Sequence, residues 1–182
     1  MVKEIWEWTR ALALAAVIAF VMLVVIRPTM VKGDSMVPTL ENNHYLITER
    51  IFWQSSGLER NDIVVFNSSL VDSKGKERDL IKRVIGVPGD HVTIGEGLVS
   101  VNGVTLAEPY LNTEETEGAV DAVVPPDHIF VLGDNRLVSI DSRDDQVGMV
   151  PLDKVKGRVL FRLLPLHKIG TIGIEQGEKY DR

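Results

Sequence analysis

Cysteine is absent from the sequence, which excludes disulfide bonds and thiolate metal sites. The four histidines have no HxH or HxxxH spacing, so neither a metal nor another cofactor is expected; they are His44, His91, His128 and His167. No segment is rich in lysine and arginine, and the net charge is −6. Because nucleic acids are bound through basic surfaces, a nucleic-acid partner is not expected either.

The composition is that of a folded protein with an unusual N-terminal part. Of the 182 residues, 45% are hydrophobic and 25% are charged, which is typical of one globular domain. Residues 11–26, ALALAAVIAFVMLVVI, contain no charged or polar side chain. Trp6 and Trp8 lie just before this run, where amphipathic rings favour a membrane interface.

We predict a helix over about residues 9–27 that ends at Pro28, and a single-pass membrane anchor over residues 1–30 in contact with the lipid bilayer. The alternative is a cleavable secretory signal. No A-x-A motif follows the apolar run, so the uncleaved anchor is favoured. Charge does not decide the orientation, because lysine and arginine occur on both sides of the run.

After the anchor, short segments rich in Val, Ile, Leu and Phe alternate with Gly, Pro, Asn and Asp clusters; these segments are HYLITERIFW, DIVVFN, DLIKRVIGV, HVTIGEGLVSVNGVTL, HIFVLG and KGRVLFRLL. The pattern predicts an all-β sandwich or barrel-like domain over residues 31–182. Asn102-Gly103 between alternating runs predicts a β-hairpin. Residues 111–122 are predicted to be an exposed excursion between strands, and the end EQGEKYDR to be solvated.

The stretch KGDSMVPTL contains a serine in a constrained turn, because Gly33 precedes it and Pro38 follows it. Such a turn presents a hydroxyl group, so Ser35 is a candidate nucleophile. The alternative is a simple linker turn. A nucleophilic serine also needs a neighbouring base.

Lys82 is the candidate base. It lies in LIKRVIGV, where strand alternation puts it on the same apolar face as Val84 and Leu80. Loss of hydration there lowers the pKa of a lysine toward a range in which the neutral amine accepts a proton. The alternative is a lysine that extends from an edge strand into solvent, with Arg83 facing the other way.

A third block, VLGDNRLVSIDSRDDQVGMVP over residues 131–151, concentrates polar side chains between two apolar strands. If they are buried, they must satisfy one another through hydrogen bonds and ion pairs. The block is therefore either a supporting shell for the site or a solvated loop.

These motifs together resemble the type I signal peptidases, which are membrane-anchored Ser/Lys proteases. The resemblance covers nearly the whole chain in order: the anchor, GDSMVPTL, RNDIVVF, IKRVIGVPGD, GDNRLVSIDSR and GMVP. It implies that Ser35 is the nucleophile and Lys82 the general base. It further implies that Ser139 orients Lys82, and that Asp141 and Arg143 form a structural ion pair.

The resemblance also implies a substrate and a location. Signal peptides of exported preproteins would be cleaved after small residues, Ala-x-Ala, by an antiparallel β domain of the signal-peptidase type on the outer face of the cytoplasmic membrane. Met36 and Ile81 are candidate walls of the substrate pockets. One position departs from some family members: Gly33 stands where they carry a serine whose hydroxyl helps to bind the oxyanion.

Three other classes are less consistent with the sequence. Self-cleaving repressors of the SOS type share the Ser/Lys pair but are soluble, whereas this chain has a predicted anchor. Homologues of the endoplasmic reticulum replace the lysine with histidine, which Lys82 argues against. A membrane-tethered β module without catalytic activity would not need Ser35, Lys82 and Ser139 together.

Overall fold

A computed structural model describes residues 2–113 and 115–172 of the chain. The predicted solvated end EQGEKYDR lies outside the described residues. Most of the described chain is antiparallel β-sheet, so the prediction of a mainly β fold is confirmed.

The N-terminal helix α1 spans Val2–Val25 and therefore begins and ends earlier than the predicted 9–27. It ends before Pro28 because Ile26–Met30 form strand β1, which pairs with β2, Tyr45–Glu49, from Ile26↔Glu49 to Met30↔Tyr45. Since β1 is an edge strand, the proline removes no donor that the sheet needs. No helix formed by the described residues reaches the length and hydropathy needed to cross a membrane.

The larger sheet has the strand order β1-β2-β11-β3-β4-β9-β10, with β12 also paired to β11. All of its pairs are antiparallel. Its further strands are β2 Tyr45–Glu49, β3 Ile63–Val71, β4 Glu77–Gly86, β9 His128–Leu132, β10 Val150–Pro151, β11 Val155–Leu164 and β12 Gly170–Thr171. Short 3-10 helices span Leu152–Lys154 and Leu166–Lys168.

The smaller sheet has the order β7-β6-β5-β8; its strands are β5 His91–Gly95, β6 Leu98–Val101, β7 Val104–Thr105 and β8 Val120–Val123. The predicted hairpin is confirmed, because β6 and β7 pair across Asn102-Gly103 and both residues have positive φ. The predicted excursion over residues 111–122 is wrong at its end, where β8 pairs with β5, and at Thr116, which is buried.

The predicted strand HYLITERIFW is wrong beyond residue 49, where a short helix α2, Phe52–Ser56, follows β2. The carboxylate of Glu49 accepts hydrogen bonds from the backbone N–H groups of Ile51, Phe52 and Trp53. These bonds satisfy the donors of a first helical turn and stop the strand. Trp53 then packs into the core.

An apolar core cluster connects the turn around Ser35, residues 31–40, which we call the serine turn, to the large sheet. It contains residues from the turn, from β2, β3 and β11: Val31, Met36, Leu40, Leu46, Ile63, Val65 and Val159. Burial of these side chains fixes the turn on the sheet, since each buried aliphatic side chain contributes about 1.5–3 kcal/mol.

Candidate active site

Ser35 lies in a turn whose backbone is fixed both before and after this residue. Gly33 has φ of 90°, a conformation that favours glycine, and Val37 N–H donates to the Asp34 carbonyl at 3.2 Å. Met36 and Leu40 are buried. The turn therefore presents the Ser35 side chain from a backbone that is fixed by the core.

Lys82 lies on β4 with its amine directed at this turn. Its Nζ is 2.7 Å from Ser35 Oγ, and the side chain is only 1% exposed, so it does not extend into solvent. Burial lowers the pKa of Lys82 to about 8, against the opposing effect of the Asp141 and Asp134 carboxylates. The neutral amine is able to accept the Ser35 proton.

Ser139 is close to the same turn but does not bond to Lys82. Its Oγ is buried and meets the geometry of a hydrogen bond with no other described residue, but it is near enough to the Asp141 carboxylate to help to lower the pKa of that group. Its N–H donates to the Asn135 carbonyl at 3.1 Å, and Asn135 N–H donates to the Ser35 carbonyl at 3.0 Å. The loop after β9 is thus attached to the serine turn, while the predicted role of Ser139 in orienting Lys82 stays a prediction.

Gly133 makes this close approach possible, a role that we did not predict from the sequence. A Cβ on Gly133 would lie 2.2 Å from Ser139 Oγ and 2.5 Å from the Ser35 carbonyl oxygen. Only a residue without a side chain fits between them. The GDN sequence of the polar block was the available signal, but a glycine there is equally typical of a turn.

Asp141 and Arg143 form an ion pair, with Arg143 Nε 2.8 Å from Asp141 Oδ1. Asp141 Oδ2 also accepts the Gly133 N–H at 3.0 Å. Burial raises the pKa of Asp141, but the hydrogen bond and charge of Arg143 and the Gly133 N–H outweigh it, so that the net pKa is lowered. The carboxylate therefore stays ionised and fixes the backbone at Gly133.

A groove of about 1380 Å³ runs past Ser35 and Lys82. One wall comes from residues 27–32 and the other from residues 76–82. Both candidate pocket residues, Met36 and Ile81, line it, whereas none of the four histidines does. No group of three or more His, Cys, Asp or Glu side chains within residues 2–113 and 115–172 is arranged to hold a metal ion.

Both walls of the groove carry a strand edge that is open to an additional strand. β1 pairs with β2 alone, and β9 covers β4 only from Arg83 to Gly86. On the edge of β4 that faces away from β3, residues 77–82 therefore have no neighbour among the described strands. An extended peptide is able to hydrogen-bond to such edges.

The position of Gly33 bears on oxyanion binding. Its φ of 90° favours glycine over a residue with a side chain, and glycine supplies no side-chain donor to an oxyanion. The Ser35 N–H donates no hydrogen bond within the described part of the chain, so it is available to a substrate oxygen.

Comparison with known proteins gives consistent matches. Residues 5–164 match the family described as signal peptidase, peptidase S26. The chain is similar to signal peptidase IB of Staphylococcus aureus (strain COL), at 36% identity over 91% of this chain and 92% of that protein. It is also similar to signal peptidase I of Bacillus caldolyticus, at 37% identity over 88% of this chain and 90% of that protein. A crystal structure of a signal peptidase I from Enterococcus faecalis V583 matches at 32% identity and a TM-score of 0.47, covering 56% of this chain and 95% of that one.

Proposed function

The chain belongs to the signal peptidase family, peptidase S26, and is a serine endopeptidase; from this premise we propose that it removes signal peptides from exported preproteins with Ser35 as nucleophile and Lys82 as general base. The observation that carries the proposal is the 2.7 Å separation of Lys82 Nζ and Ser35 Oγ, combined with the burial that lowers the pKa of Lys82 to about 8.

In the acylation step, Ser35 Oγ attacks the carbonyl carbon of the scissile bond, and neutral Lys82 takes the hydroxyl proton. The negative charge that develops on the carbonyl oxygen is stabilised by the Ser35 N–H. Lys82 then gives its proton to the leaving amine, which is the N-terminus of the mature protein. The signal peptide remains as an ester on Ser35.

Deacylation reverses these roles. A water molecule attacks the ester carbon while Lys82 accepts one of its protons, and the proton is returned to Ser35 Oγ as the signal peptide leaves. In this proposal the buried Ser139 hydroxyl orients the amine. The ion pair of Asp141 and Arg143 supports the loop that carries Ser139.

The substrate enters the groove as an extended strand, between the open edges of β1 and β4. The residues before the cut then contact Met36 and Ile81, which line the groove. Met36 is part of the packed core, so the pocket has little room to expand. A shallow pocket of this kind favours alanine at the two recognised positions, Ala-x-Ala.

We further propose that the predicted anchor crosses the membrane with α1, Val2–Val25, and that the catalytic domain on the extracytoplasmic face contains β1, Ile26–Met30, together with residues 31–182. The apolar run 11–26 supports the anchor, and so does the exposure of apolar α1 side chains such as Trp8 and Phe20. An anchor next to the serine turn brings the enzyme close to a membrane-bound signal peptide, which favours productive orientation.

The test is cleavage of a purified preprotein by the detergent-solubilised enzyme, with the new N-terminus identified by mass spectrometry. Ser35→Ala is expected to abolish cleavage and to leave the circular dichroism spectrum unchanged, because only a turn hydroxyl is removed. Cleavage that survives in the Ser35→Ala enzyme would contradict the assignment of the nucleophile.

A further inference from the structure

Arg136 is a buried cation that the proposed mechanism does not use. It belongs to what we call the catalytic loop, residues 133–143, which follows β9 and carries Ser139. Arg136 is 3% exposed, and its Nε donates to the Gly133 carbonyl at 3.1 Å. Gly133 is the residue that lies against both the Ser35 carbonyl oxygen and Ser139 Oγ. Whatever fixes Arg136 therefore also fixes the backbone between these two serines.

The side chains that accept hydrogen bonds from Arg136 come from outside the catalytic loop. Its Nη1 donates to Glu108 Oε2 at 3.1 Å, and its Nη2 pairs with Glu108 Oε1. Nη1 also donates to Thr116 Oγ1. The carboxylate holds the planar guanidinium by two bonds, which fixes its orientation as well as its position.

Glu108 and Thr116 belong to what we call the bridging segment, residues 106–113 and 115–118. Two backbone hydrogen bonds attach the segment to the small sheet. Leu106 N–H donates to the Val99 carbonyl at 2.9 Å, and Thr116 N–H donates to the Gly97 carbonyl at 2.7 Å. The sequence had predicted an exposed excursion for its second half. Instead, this segment carries the contacts between the small sheet and Arg136.

The charge on Glu108 matters because Arg136 is buried. A buried guanidinium without a carboxylate loses hydration without compensation, so it moves toward water or toward another anion. Either movement breaks the bond to the Gly133 carbonyl. The contact of Gly133 with Ser35 and Ser139 is so close that a small backbone shift there changes the geometry of the site.

We propose that Glu108 is a positioning residue for the reaction, acting through Arg136 and Gly133 to hold Ser139 in place. The inference rests on the proposed Ser35 and Lys82 chemistry. It adds the small sheet, through the bridging segment, to the parts of the molecule that determine the rate of cleavage.

The main variant is Glu108→Gln, which keeps the size of the side chain and removes its charge. We expect kcat to fall about tenfold or more, as for a displaced reacting group, while KM stays within about twofold because the groove is untouched. The matched control is Glu115→Gln, an exposed glutamate of the same segment, which should retain wild-type kinetics. An unchanged kcat in Glu108→Gln overturns the proposal.

A double-mutant cycle separates positioning from general stability. If Glu108 acts through the placement of Ser139, its substitution should matter little once the Ser139 hydroxyl is gone. The kcat of the double variant Glu108→Gln, Ser139→Ala should therefore lie within about twofold of the kcat of Ser139→Ala alone. Losses that multiply would assign Glu108 a structural role only. Rates are normalised to folded protein, measured by circular dichroism.

If Glu108→Gln does not fold, Thr116→Val and Thr116→Ser decide the question. Loss of the hydroxyl should lower kcat, and serine should restore it; equal kcat values in both variants overturn the proposal. Cleavage by the Ser35→Ala enzyme would instead contradict the proposed function. This measurement does not depend on the Glu108 and Thr116 variants, so the two failures are distinguishable.

Discussion

The guanidinium of Arg83 and the carboxylate of Asp134 form a buried ion pair with two hydrogen bonds, Nε–Oδ1 at 2.8 Å and Nη2–Oδ2 at 2.6 Å. Arg83 follows Lys82 directly on β4. The same carboxylate accepts a hydrogen bond from Thr39, which is part of the serine turn. Asp134 thus connects the two elements that carry Lys82 and Ser35.

Asp134→Asn should destabilise the protein by about 3 kcal/mol, because removing one partner leaves a buried charge unpaired. The two side chains are 3% and 1% exposed. Urea unfolding monitored by circular dichroism measures the change. Asp79→Asn is the control, since its pair with Lys156 is about 40% exposed and should contribute less than about 1 kcal/mol. Equal effects of the two variants would contradict the assignment.

Gly133→Ala should lower kcat by about a hundredfold, as expected when reacting groups are displaced by a fraction of an ångström to an ångström. The added methyl group would meet Ser139 Oγ at 2.2 Å and the Ser35 carbonyl oxygen at 2.5 Å, so one of them must move. Steady-state cleavage of a preprotein is the measurement. Gly95→Ala is a suitable control, because its Cβ would have no atom within 4 Å. A Gly133→Ala enzyme with normal kcat would show that the close approach is not needed.

Ile81→Ala should broaden specificity, because it removes part of the pocket wall in the proposed substrate groove. Preproteins with valine or leucine in place of alanine before the cut are expected to gain about tenfold in kcat/KM relative to the alanine substrate. Leu98→Ala, an exposed position of the small sheet, should leave the ratio unchanged. An unchanged ratio in Ile81→Ala would remove Ile81 from the pocket.

The strands were largely predictable because their signal is local. Alternation and turn residues identified β3, β4 and the hairpin at Asn102-Gly103, whose positive φ values the turn requires. The helix α2 was not predictable in this way, because the Glu49 carboxylate that caps it lies in the preceding strand. β8 was not predicted, because it lies in an acidic segment whose composition indicates a loop. Its pairing with β5 outweighs this low local preference for a strand.

In the site, too, the residues with a local sequence signal were predictable, whereas the contacts that depend on the tertiary fold were not. Motifs indicated Ser35 and Lys82 separately, but their separation of 2.7 Å depends on how the serine turn packs on β4. Gly133 had only the ambiguous signal of a turn glycine and Glu108 had no local signal, since each acts on atoms that are distant in the sequence. Positioning residues inside a family motif, such as Ser139, Asp141 and Arg143, were assigned through the resemblance, whereas Glu108 lies outside every motif and was not.

The pH dependence of cleavage tests the role of Lys82 most directly. With a pKa of about 8, roughly one tenth of the enzyme carries the neutral amine at pH 7, compared with fewer than about one molecule in a thousand for an unperturbed lysine. Because the neutral form is the base, kcat/KM should rise about tenfold per pH unit below pH 8 and level off above it. The rate is thus lost as the pH falls through the lowered pKa, which is the direction expected for a lysine that must be unprotonated.

The measurement is kcat/KM for a preprotein over the range from mildly acid to alkaline pH, with circular dichroism at each point to confirm that the fold persists. Lys82→Met, which keeps an unbranched apolar side chain in the buried position, should be inactive throughout. Burial is the main cause of the lowered pKa. If kcat/KM instead rises only near the ordinary pKa of lysine, water reaches the amine in the working enzyme. A flat profile, or an active Lys82→Met enzyme, would exclude Lys82 as the base.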